Sequence, residues 1–326
     1  MLNKMLDIVM KPVAKVMESE IETLGIKNSM KLVRAYNRLR YGKYQQYREA
    51  HFQNNFEALI RENGLPASPI NEIRDGWALD SSRRLPHLER LLKDANEIIN
   101  DRGGVKRQSS ARRPFFQEIP FEDLFDKYPS ILDFATCSDV LSVVCNYLQF
   151  IPVFSQSVPF GIRFNESWAK FVDPPSENPT ASQLFHLDHH DSPMVYVIVV
   201  LRDIAMENGP FCFLPEKISN RAARALKYGF RGVSHRVTDE EMYKVVPESE
   251  LITLCYPAGT VLFLDNSKCF HYGSRNAVNP RYMLMYAYMS ACRTDLGEVI
   301  IKRREYPIRH SDSTLRKLVI RREFMV

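Results

Sequence analysis

Gln183-Leu-Phe-His-Leu-Asp-His189 is the stretch that decides the fold, because its bulky apolar side chains alternate with polar ones. Such alternation is typical of a β-strand with one buried face. Side chains two positions apart in a strand point to the same face. We therefore predict that His186 and Asp188 project together, while Leu187 points to the opposite face.

A third residue, His271, is expected to join this pair. Gly259-Thr-Val-Leu-Phe-Leu-Asp-Asn266 has a strand pattern, and Cys269-Phe-His-Tyr-Gly273 follows as a short strand or a strand end. If the sheet is rolled into a barrel, His271 can approach His186 and Asp188. Two imidazoles and one carboxylate form a facial triad, which suits non-haem Fe(II) and leaves positions open for other ligands. The alternative interpretation is ordinary polar strand residues, since the chain has eight histidines.

Arg281 supports the metal interpretation. It opens the apolar strand Tyr282–Met289, and an arginine buried in a barrel requires an anionic partner. Its planar guanidinium fits a carboxylate in a two-pronged pair, and the distal carboxylate of 2-oxoglutarate would satisfy it. A surface arginine after Pro280 is the alternative, and Arg275 in the preceding turn is the competing anchor.

Three segments resemble the phytanoyl-CoA dioxygenase family of Fe(II)/2-oxoglutarate oxygenases. They are FHLDHHDSP at 185–193, VLRDIAMENGPFCFLPEKIS at 200–219 and GTVLFLDNSKCFHYGSRNAVNPRYMLMYAY at 259–288. The resemblance covers roughly residues 155–292. It implies an α+β fold with a double-stranded β-helix (jelly-roll, cupin-like) core, a helical N-terminal region and helical inserts.

The same resemblance implies roles for individual residues. His186, Asp188 and His271 match the iron ligands of the family, and Arg281 matches the arginine that binds 2-oxoglutarate. Ser274 and Asn276 match small polar positions between the last two, and Ser274 is assigned to the 2-oxoglutarate site. The spacing from His271 to Arg281 is one residue shorter than in many relatives.

Asp188 also bears on the reaction class. Iron halogenases related to this fold have a small residue there, which leaves room for chloride, so Asp188 favours oxygen transfer or a related oxidation. The neighbouring His189, His190 and Asp191 lie beyond the predicted strand end. We expect their side chains to point away from the metal, with a role behind the ligands or against the substrate as the alternative.

The chain is expected to have three regions. Residues 1–115 form a mainly helical region packed on the barrel, residues 116–299 form the oxygenase core, and residues 300–326 form a basic tail. Met1–Thr23 has apolar residues at helical spacing interleaved with lysines. This pattern predicts a helix that either packs on the barrel or rests on an anionic membrane surface.

An insert of helical pattern lies between about Pro215 and Leu251. Inserts between barrel strands are natural lids over a pocket. Because this insert has only modest apolar content, we expect it and the basic linker near Arg102–Arg113 to be the most mobile parts of the chain without substrate.

Composition restricts the partners and the compartment. The 326 residues are 45% hydrophobic and 25% charged, and the net charge of +5 permits an anionic substrate without requiring nucleic acid. The six cysteines are scattered, which favours free thiols in a reducing compartment over structural zinc. No signal-peptide or membrane-spanning pattern is found. We predict a cytoplasmic protein, with peripheral membrane contact as an alternative and the oligomeric state open.

The sequence thus predicts an Fe(II)/2-oxoglutarate-dependent dioxygenase that uses dioxygen to hydroxylate an unactivated C–H bond, with release of succinate and carbon dioxide. The expected substrate is a small or lipid-linked molecule, with an anionic one favoured by the basic chain. Candidate substrate contacts are Arg163, Trp168, Lys170 and Tyr196, with barrel filling or surface charge as the alternative. A non-catalytic metal-binding barrel and a cupin-like isomerase or hydrolase using another metal remain alternatives.

Overall fold

A computed structural model describes residues 25–66, 72–107, 115–156, 160–172, 179–294 and 304–326. The helices span Ile26–Asn63 (α1), Leu88–Arg102 (α2), Ser130–Ala135 (α3), Ser138–Leu148 (α4), Glu216–Ala225 (α5), Asp239–Tyr243 (α6) and Thr314–Ile320 (α7). The strands span Trp77–Asp80 (β1), Phe116–Glu118 (β2), Val153–Phe154 (β3), Ile162–Ser167 (β4), Val195–Val200 (β5), Cys212–Phe213 (β6), Ile252–Thr253 (β7), Val261–Leu264 (β8), His271–Tyr272 (β9) and Arg281–Met289 (β10). Within these ranges no helix combines the length and apolar character needed to cross a membrane.

Two antiparallel sheets form the centre of the fold. The larger sheet has the order β1-β8-β5-β10-β4-β2, and β3 pairs with the end of β10. The smaller sheet has the order β7-β6-β9, and a bridge between His186 and His271 adds the chain segment at His186 to its edge.

The order of these strands along the chain defines the architecture. Eight extended segments run from β4 to β10 if the His186 segment is counted as a strand. In chain order they belong to the large, small, large, small, small, large, small and large sheet. This is the order of a double-stranded β-helix, in which two sheets face each other. The predicted α+β fold with a jelly-roll, cupin-like core is confirmed.

The large sheet is buried on both faces, as β5 shows. Val195, Val197 and Val199 pack in the outer cluster with the helices, while Tyr196 and Ile198 pack between the two sheets. Burial on both sides explains why β5 is an uninterrupted apolar run instead of an alternating one. The inward face of this sheet forms one wall of the candidate site.

The N-terminal region contributes more than helices. Its strand β1 pairs with β8 and extends the large sheet, a strand that the helical prediction for residues 1–115 did not include. Helix α2 covers the outer face of the sheet with Leu91, Ala95 and Ile98. The predicted helix at Met1–Thr23 lies outside the described residues.

The C-terminal tail packs back on the N-terminal helix. The buried guanidinium of Arg48 in α1 donates hydrogen bonds to the backbone oxygens of Leu318 and Arg321, each at 2.9 Å. Leu315, Leu318 and Val319 of α7 are fully buried. Residues 304–326 of the predicted basic tail therefore pack against the rest of the chain.

The insert between residues 215 and 251 contains the expected helices, α5 and α6. However, Tyr228 and Met242 are buried in a cluster with Phe185 and Tyr272 on the outer side of the small sheet. Val237 also pairs with Phe185 and extends that sheet. This packing favours a structural support behind the metal ligands over the mobile lid that we expected. The other expected mobile segment falls partly outside the described residues, at 108–114.

Candidate metal centre

His186, Asp188 and His271 converge between the two sheets. Their ligand atoms all lie within 4.8 Å of one another. Each histidine Nε2 atom lies 3.8 Å from an oxygen of Asp188, His186 from Oδ1 and His271 from Oδ2. The antiparallel bridge between His186 and His271 brings their rings to 4.3 Å between centroids. The predicted group is therefore assembled, but the predicted strand over Gln183–His189 is wrong: Ala181–Gln183 form a 3-10 turn, and only Phe185 and His186 form isolated β-bridges.

Backbone hydrogen bonds orient both imidazoles. Nδ1 of His186 lies 2.8 Å from the oxygen of Leu184, and Nδ1 of His271 lies 2.9 Å from the oxygen of Cys269. Since a carbonyl only accepts hydrogen bonds, Nδ1 carries the proton and Nε2 presents its lone pair to the centre. Burial lowers the pKa of each histidine, which keeps the ring neutral and ready to bind a metal ion.

Asp188 supplies the negative charge of the group. Burial by itself would raise its pKa, but the nearby His271, His190, His186 and Arg163 outweigh that effect and hold the pKa below its usual range. The side chain is therefore a carboxylate, as a metal ligand requires.

Asn266 is a site residue that the sequence reasoning missed. Its backbone oxygen accepts a 2.9 Å hydrogen bond from the backbone N–H of Asp188. Its Nδ2 donates to Oδ2 of Asp188 at 3.3 Å and lies 3.4 Å from Nε2 of His271. It is 2% exposed, and it lies in a turn that Asp265 holds by accepting the N–H of Ser267. Only the polar pair Asp265–Asn266 at the end of an apolar strand signals this role in the sequence.

Arg281 lies in the barrel interior with no acidic partner among the described residues. It is 3% exposed and donates to Oγ of Ser274 at 2.7 Å, to Oγ of Ser167 at 3.3 Å and to the oxygen of Gly209. Its Nε has no hydrogen-bond partner. Burial lowers its pKa to about 10, so it still carries a charge that needs an anion.

Gly273 makes room for this guanidinium. A Cβ atom at Gly273 would lie 3.3 Å and 3.4 Å from the terminal nitrogens of Arg281 and 3.5 Å from the ring of Phe211. The ring of Phe211 in turn stacks on His271, with 5.5 Å between centroids. The absence of a side chain therefore keeps the space between the arginine and the metal ligands open.

The competing anchor, Arg275, is already paired elsewhere. Its Nη1 bonds to Oδ2 of Asp239 at 2.7 Å, and its Nε donates to the oxygen of Gln183 at 2.5 Å. Its guanidinium also lies 3.5 Å from the ring centroid of Tyr272, on the outer side of the small sheet. Of the two arginines, Arg281 is thus the one that faces the interior with its charge unbalanced.

The four predicted substrate contacts fall in two places. Arg163 and Tyr196 lie inside the barrel, with 5.4 Å between the guanidinium carbon and the ring centroid. Trp168 and the exposed Lys170 contact each other at 4.6 Å, and the indole N–H donates to the oxygen of Val278 at 3.0 Å. The structure therefore brings Arg163 and Tyr196 toward the centre but places Trp168 and Lys170 at the rim.

The residues after Asp188 differ in their placement. Nε2 of His190 lies 4.0 Å from Oδ1 of Asp188, so His190 is beside the centre, although we expected it to point away. His189 contacts the hydroxyl of Tyr228 at 3.2 Å. Asp191 accepts the backbone N–H of Ser290 at 2.7 Å and has a structural role. The chain turns after Asp188, so the alternation of side-chain directions along a strand does not apply to these three residues.

Comparisons with solved structures return several similar folds. The epimerase SnoN, crystallised with Fe3+, alpha ketoglutarate and nogalamycin RO, is 16% identical, with a TM-score of 0.42 over 72% of this chain and 85% of SnoN. EctD from S. alaskensis, crystallised with 2-oxoglutarate and 5-hydroxyectoine, is 13% identical, with a TM-score of 0.44 over 67% and 73%. EvdO2 from Micromonospora carbonacea var. aurantiaca, complexed with 2-oxoglutarate, is 16% identical, with a TM-score of 0.41 over 68% and 93%.

At these TM-scores and identities, the similar structures do not identify what this chain binds or which reaction it catalyses. No protein-family model and no curated protein matches the chain. Membership of the phytanoyl-CoA dioxygenase family therefore stays a prediction from the three motif segments.

Proposed function

We propose that the chain is an Fe(II)/2-oxoglutarate-dependent oxygenase. The observation that supports this most directly is the buried, unbalanced charge of Arg281 beside a His-Asp-His group. A metal centre alone does not require a buried cation nearby. A chelating dicarboxylate accounts for both features, because one end binds the metal and the distal carboxylate neutralises the guanidinium.

The donor set fits ferrous iron. His186, Asp188 and His271 would hold the metal on one face, with neutral imidazoles and an ionised carboxylate. Arg281 and Ser274 would bind the distal carboxylate of 2-oxoglutarate. Bound iron and 2-oxoglutarate supply the oxidation of a substrate C–H bond by dioxygen, with release of succinate and carbon dioxide. The apolar wall formed by Ile198 and its neighbours would exclude water from the centre.

Hydroxylation of a small or lipid-linked substrate is the reaction that we propose for this site. Asp188 occupies the position that halogenase-like sites leave to a halide, which favours insertion of oxygen. The scattered free cysteines, five of them buried, fit a reducing cytoplasm in which iron stays ferrous.

The alternatives explain less of the geometry. A non-catalytic metal-binding barrel leaves the burial of Arg281 without a purpose. An isomerase or hydrolase using another metal needs a general base, for which His190 is the nearest candidate, but it also leaves Arg281 unexplained.

Calorimetric titration of 2-oxoglutarate into the anaerobic, Fe(II)-loaded protein tests the proposal. We expect one binding event per metal ion, and succinate after dioxygen is admitted. Zn(II)-loaded protein serves as the control and should bind without forming succinate. Failure of the iron-loaded protein to bind 2-oxoglutarate would overturn the proposal.

Incubation with cell extract and isotopically heavy dioxygen tests the finer claim of hydroxylation. Mass spectrometry should find a product that has gained one heavy oxygen atom only when iron and 2-oxoglutarate are both present. A product that has lost two hydrogens without gaining oxygen would show desaturation instead.

A further inference from the structure

A second buried arginine, Arg163, faces the same interior as Arg281. It is 7% exposed and lies on β4 opposite Met285 of β10. On the same two strands Ser167 lies opposite Arg281, and their side chains bond inside the barrel. Because positions two apart on a strand share a face, Arg163 and Ser167 both point inward.

The charge of Arg163 has no ion pair within the described residues. Its Nε is buried without a hydrogen-bond partner, and its contact is the ring of Tyr196. Arg48 is fully buried and its Nε also lacks a partner, but its terminal nitrogens donate to the backbone oxygens of Tyr44, Leu318 and Arg321. The terminal nitrogens of Arg48 are thus satisfied by the fold, whereas the guanidinium of Arg163 lies over an aromatic face.

Arg163 is too far from Arg281 along the sheet to be a second anchor for the same carboxylate. Ser167, the register partner of Arg281, lies four positions after Arg163, which is about 13 Å along the strand. The guanidinium of Arg163 also leans away from Arg281, toward Tyr196, which is paired with Ala287. The two cations therefore mark different parts of the interior.

A count of formal charges indicates which kind of substrate group the interior around Arg163 accepts. The two positive charges of ferrous iron and the one of Arg281 offset the carboxylate of Asp188 and the two carboxylates of 2-oxoglutarate. Imidazoles that bind a metal ion are neutral, so His186 and His271 add no charge. On the inner face of the large sheet one positive charge, that of Arg163, remains, and an uncompensated ion is costly in a low-dielectric interior.

We propose that Arg163 determines substrate specificity by binding the single carboxylate of an apolar monocarboxylic acid. The inference rests on the proposed function, because the charge count includes iron and 2-oxoglutarate. The surroundings fit an apolar body: Tyr196, Ile198, Met283 and Met285 are buried on the same inner face. The planar guanidinium pairs with a carboxylate through two parallel hydrogen bonds.

Matched acids and amides test the proposal on the anaerobic protein loaded with Fe(II) and 2-oxoglutarate. Straight-chain acids from butanoate to decanoate are titrated calorimetrically beside their primary amides. In the wild type we expect each acid to bind about tenfold or more tightly than its amide. Arg163→Met should abolish the preference, and Arg163→Lys should retain part of it. Equal binding of acid and amide, or no binding of either, would overturn the proposal.

A control variant separates the role of Arg163 from general effects of removing an arginine. Arg202 lies over the ring of Tyr282 at 5.0 Å, a contact of the same kind on the outside of the barrel. Arg202→Met should keep the acid preference. Hexyl phosphate serves as a doubly charged probe, and tighter binding than hexanoate would overturn the assignment of a single negative charge.

The affinity for 2-oxoglutarate distinguishes the two arginines. Arg163→Met should leave this affinity unchanged, whereas Arg281→Met should weaken it; an equal loss would show that Arg163 binds the co-substrate. If the wild type fails to bind 2-oxoglutarate, the proposed function fails. The acid and amide titrations on protein loaded with Fe(II) alone would then still show whether Arg163 selects a carboxylate.

Discussion

Nε2 of His271 lies 3.8 Å from Oδ2 of Asp188, although His271 is in β9 and Asp188 follows the isolated bridge at His186. The backbone bridge between His186 and His271 fixes this distance. The candidate metal centre thus depends on the backbone bridge between His186 and His271, and backbone oxygens orient both imidazoles.

Removing either histidine should abolish iron binding. His186→Ala and His271→Ala each leave two ligands, which is too few for a stable facial site. The measurement is iron per chain after anaerobic loading and gel filtration. His51→Ala, a change at a half-buried position of α1, should bind iron like the wild type. Full occupancy in both ligand variants would show that the metal binds elsewhere.

Arg281→Ala should weaken 2-oxoglutarate binding by about 2–5 kcal/mol, because it removes one partner of a buried charge pair. Iron affinity should change little, since Arg281 bonds to Ser274, Ser167 and Gly209 and not to the ligands. Arg275→Ala is the matched control and should have a much smaller effect, because Arg275 pairs with Asp239. If calorimetry showed a larger loss of 2-oxoglutarate affinity in Arg275→Ala than in Arg281→Ala, Arg275 would be the anchor.

Asn266→Ala should lower iron affinity by about 10–100-fold, the usual cost of losing a residue that orients metal ligands. Its amide contacts both Asp188 and His271, so its loss frees two ligands to reorient. Competition with a coloured chelator measures the change. Ser267→Ala alters the same turn without touching a ligand and should retain most of the affinity. Similar losses in both variants would assign the effect to the turn instead of to the amide.

The approach of His186 to Asp188 was predictable from sequence, because side chains two positions apart in an extended segment share a face. The strand expected around them is nevertheless reduced to bridges at Phe185 and His186. The burial of Arg281 was predictable because it opens a long apolar strand. In each case, a short-range rule and a burial argument were sufficient.

The residues that sequence reasoning missed depend on contacts between distant segments. Asn266 reaches Asp188 only through the meeting of β8 with the His186 segment, and Ser167 reaches Arg281 only through the register of β4 with β10. Strand β1 has four residues, too few for a reliable pattern, and it is defined by pairing with β8. The burial of the insert between residues 215 and 251 is a further case, since it depends on packing against Phe185 and Tyr272 from distant segments.

Met242→Ala should destabilise the protein by about 2–5 kcal/mol, as expected when a buried side chain leaves a cavity. Met242 is 0% exposed and packs behind the small sheet with Phe185 and Tyr272. Met206→Ala is the matched control, because Met206 is 67% exposed and should tolerate the change. Denaturant unfolding measures both. A negligible effect of Met242→Ala would restore the interpretation of the insert as a loosely packed lid.

The ion pairs of Asp133 should make the attachment of the C-terminal segment sensitive to acid. Asp133 accepts hydrogen bonds from Arg316, at 2.6 Å, and from Arg309. Burial would raise its pKa, but the two arginines outweigh burial and hold the pKa below its ordinary value of 3.8. The unfolded chain then binds the proton more readily than the folded one, so this stabilisation is present above about pH 4 and is lost as the pH falls through the folded pKa.

Melting temperatures of the wild type and Asp133→Asn between pH 6 and pH 3 test this dependence. The variant should melt at a lower temperature at pH 6, and the gap should close as the wild-type carboxylate becomes protonated. Glu240→Gln removes an exposed pair with Lys244 and should change the melting temperature little at any pH. A gap between wild type and Asp133→Asn that stays constant with pH would mean that shape and hydrogen bonding at Asp133, and not its charge, attach the C-terminal segment.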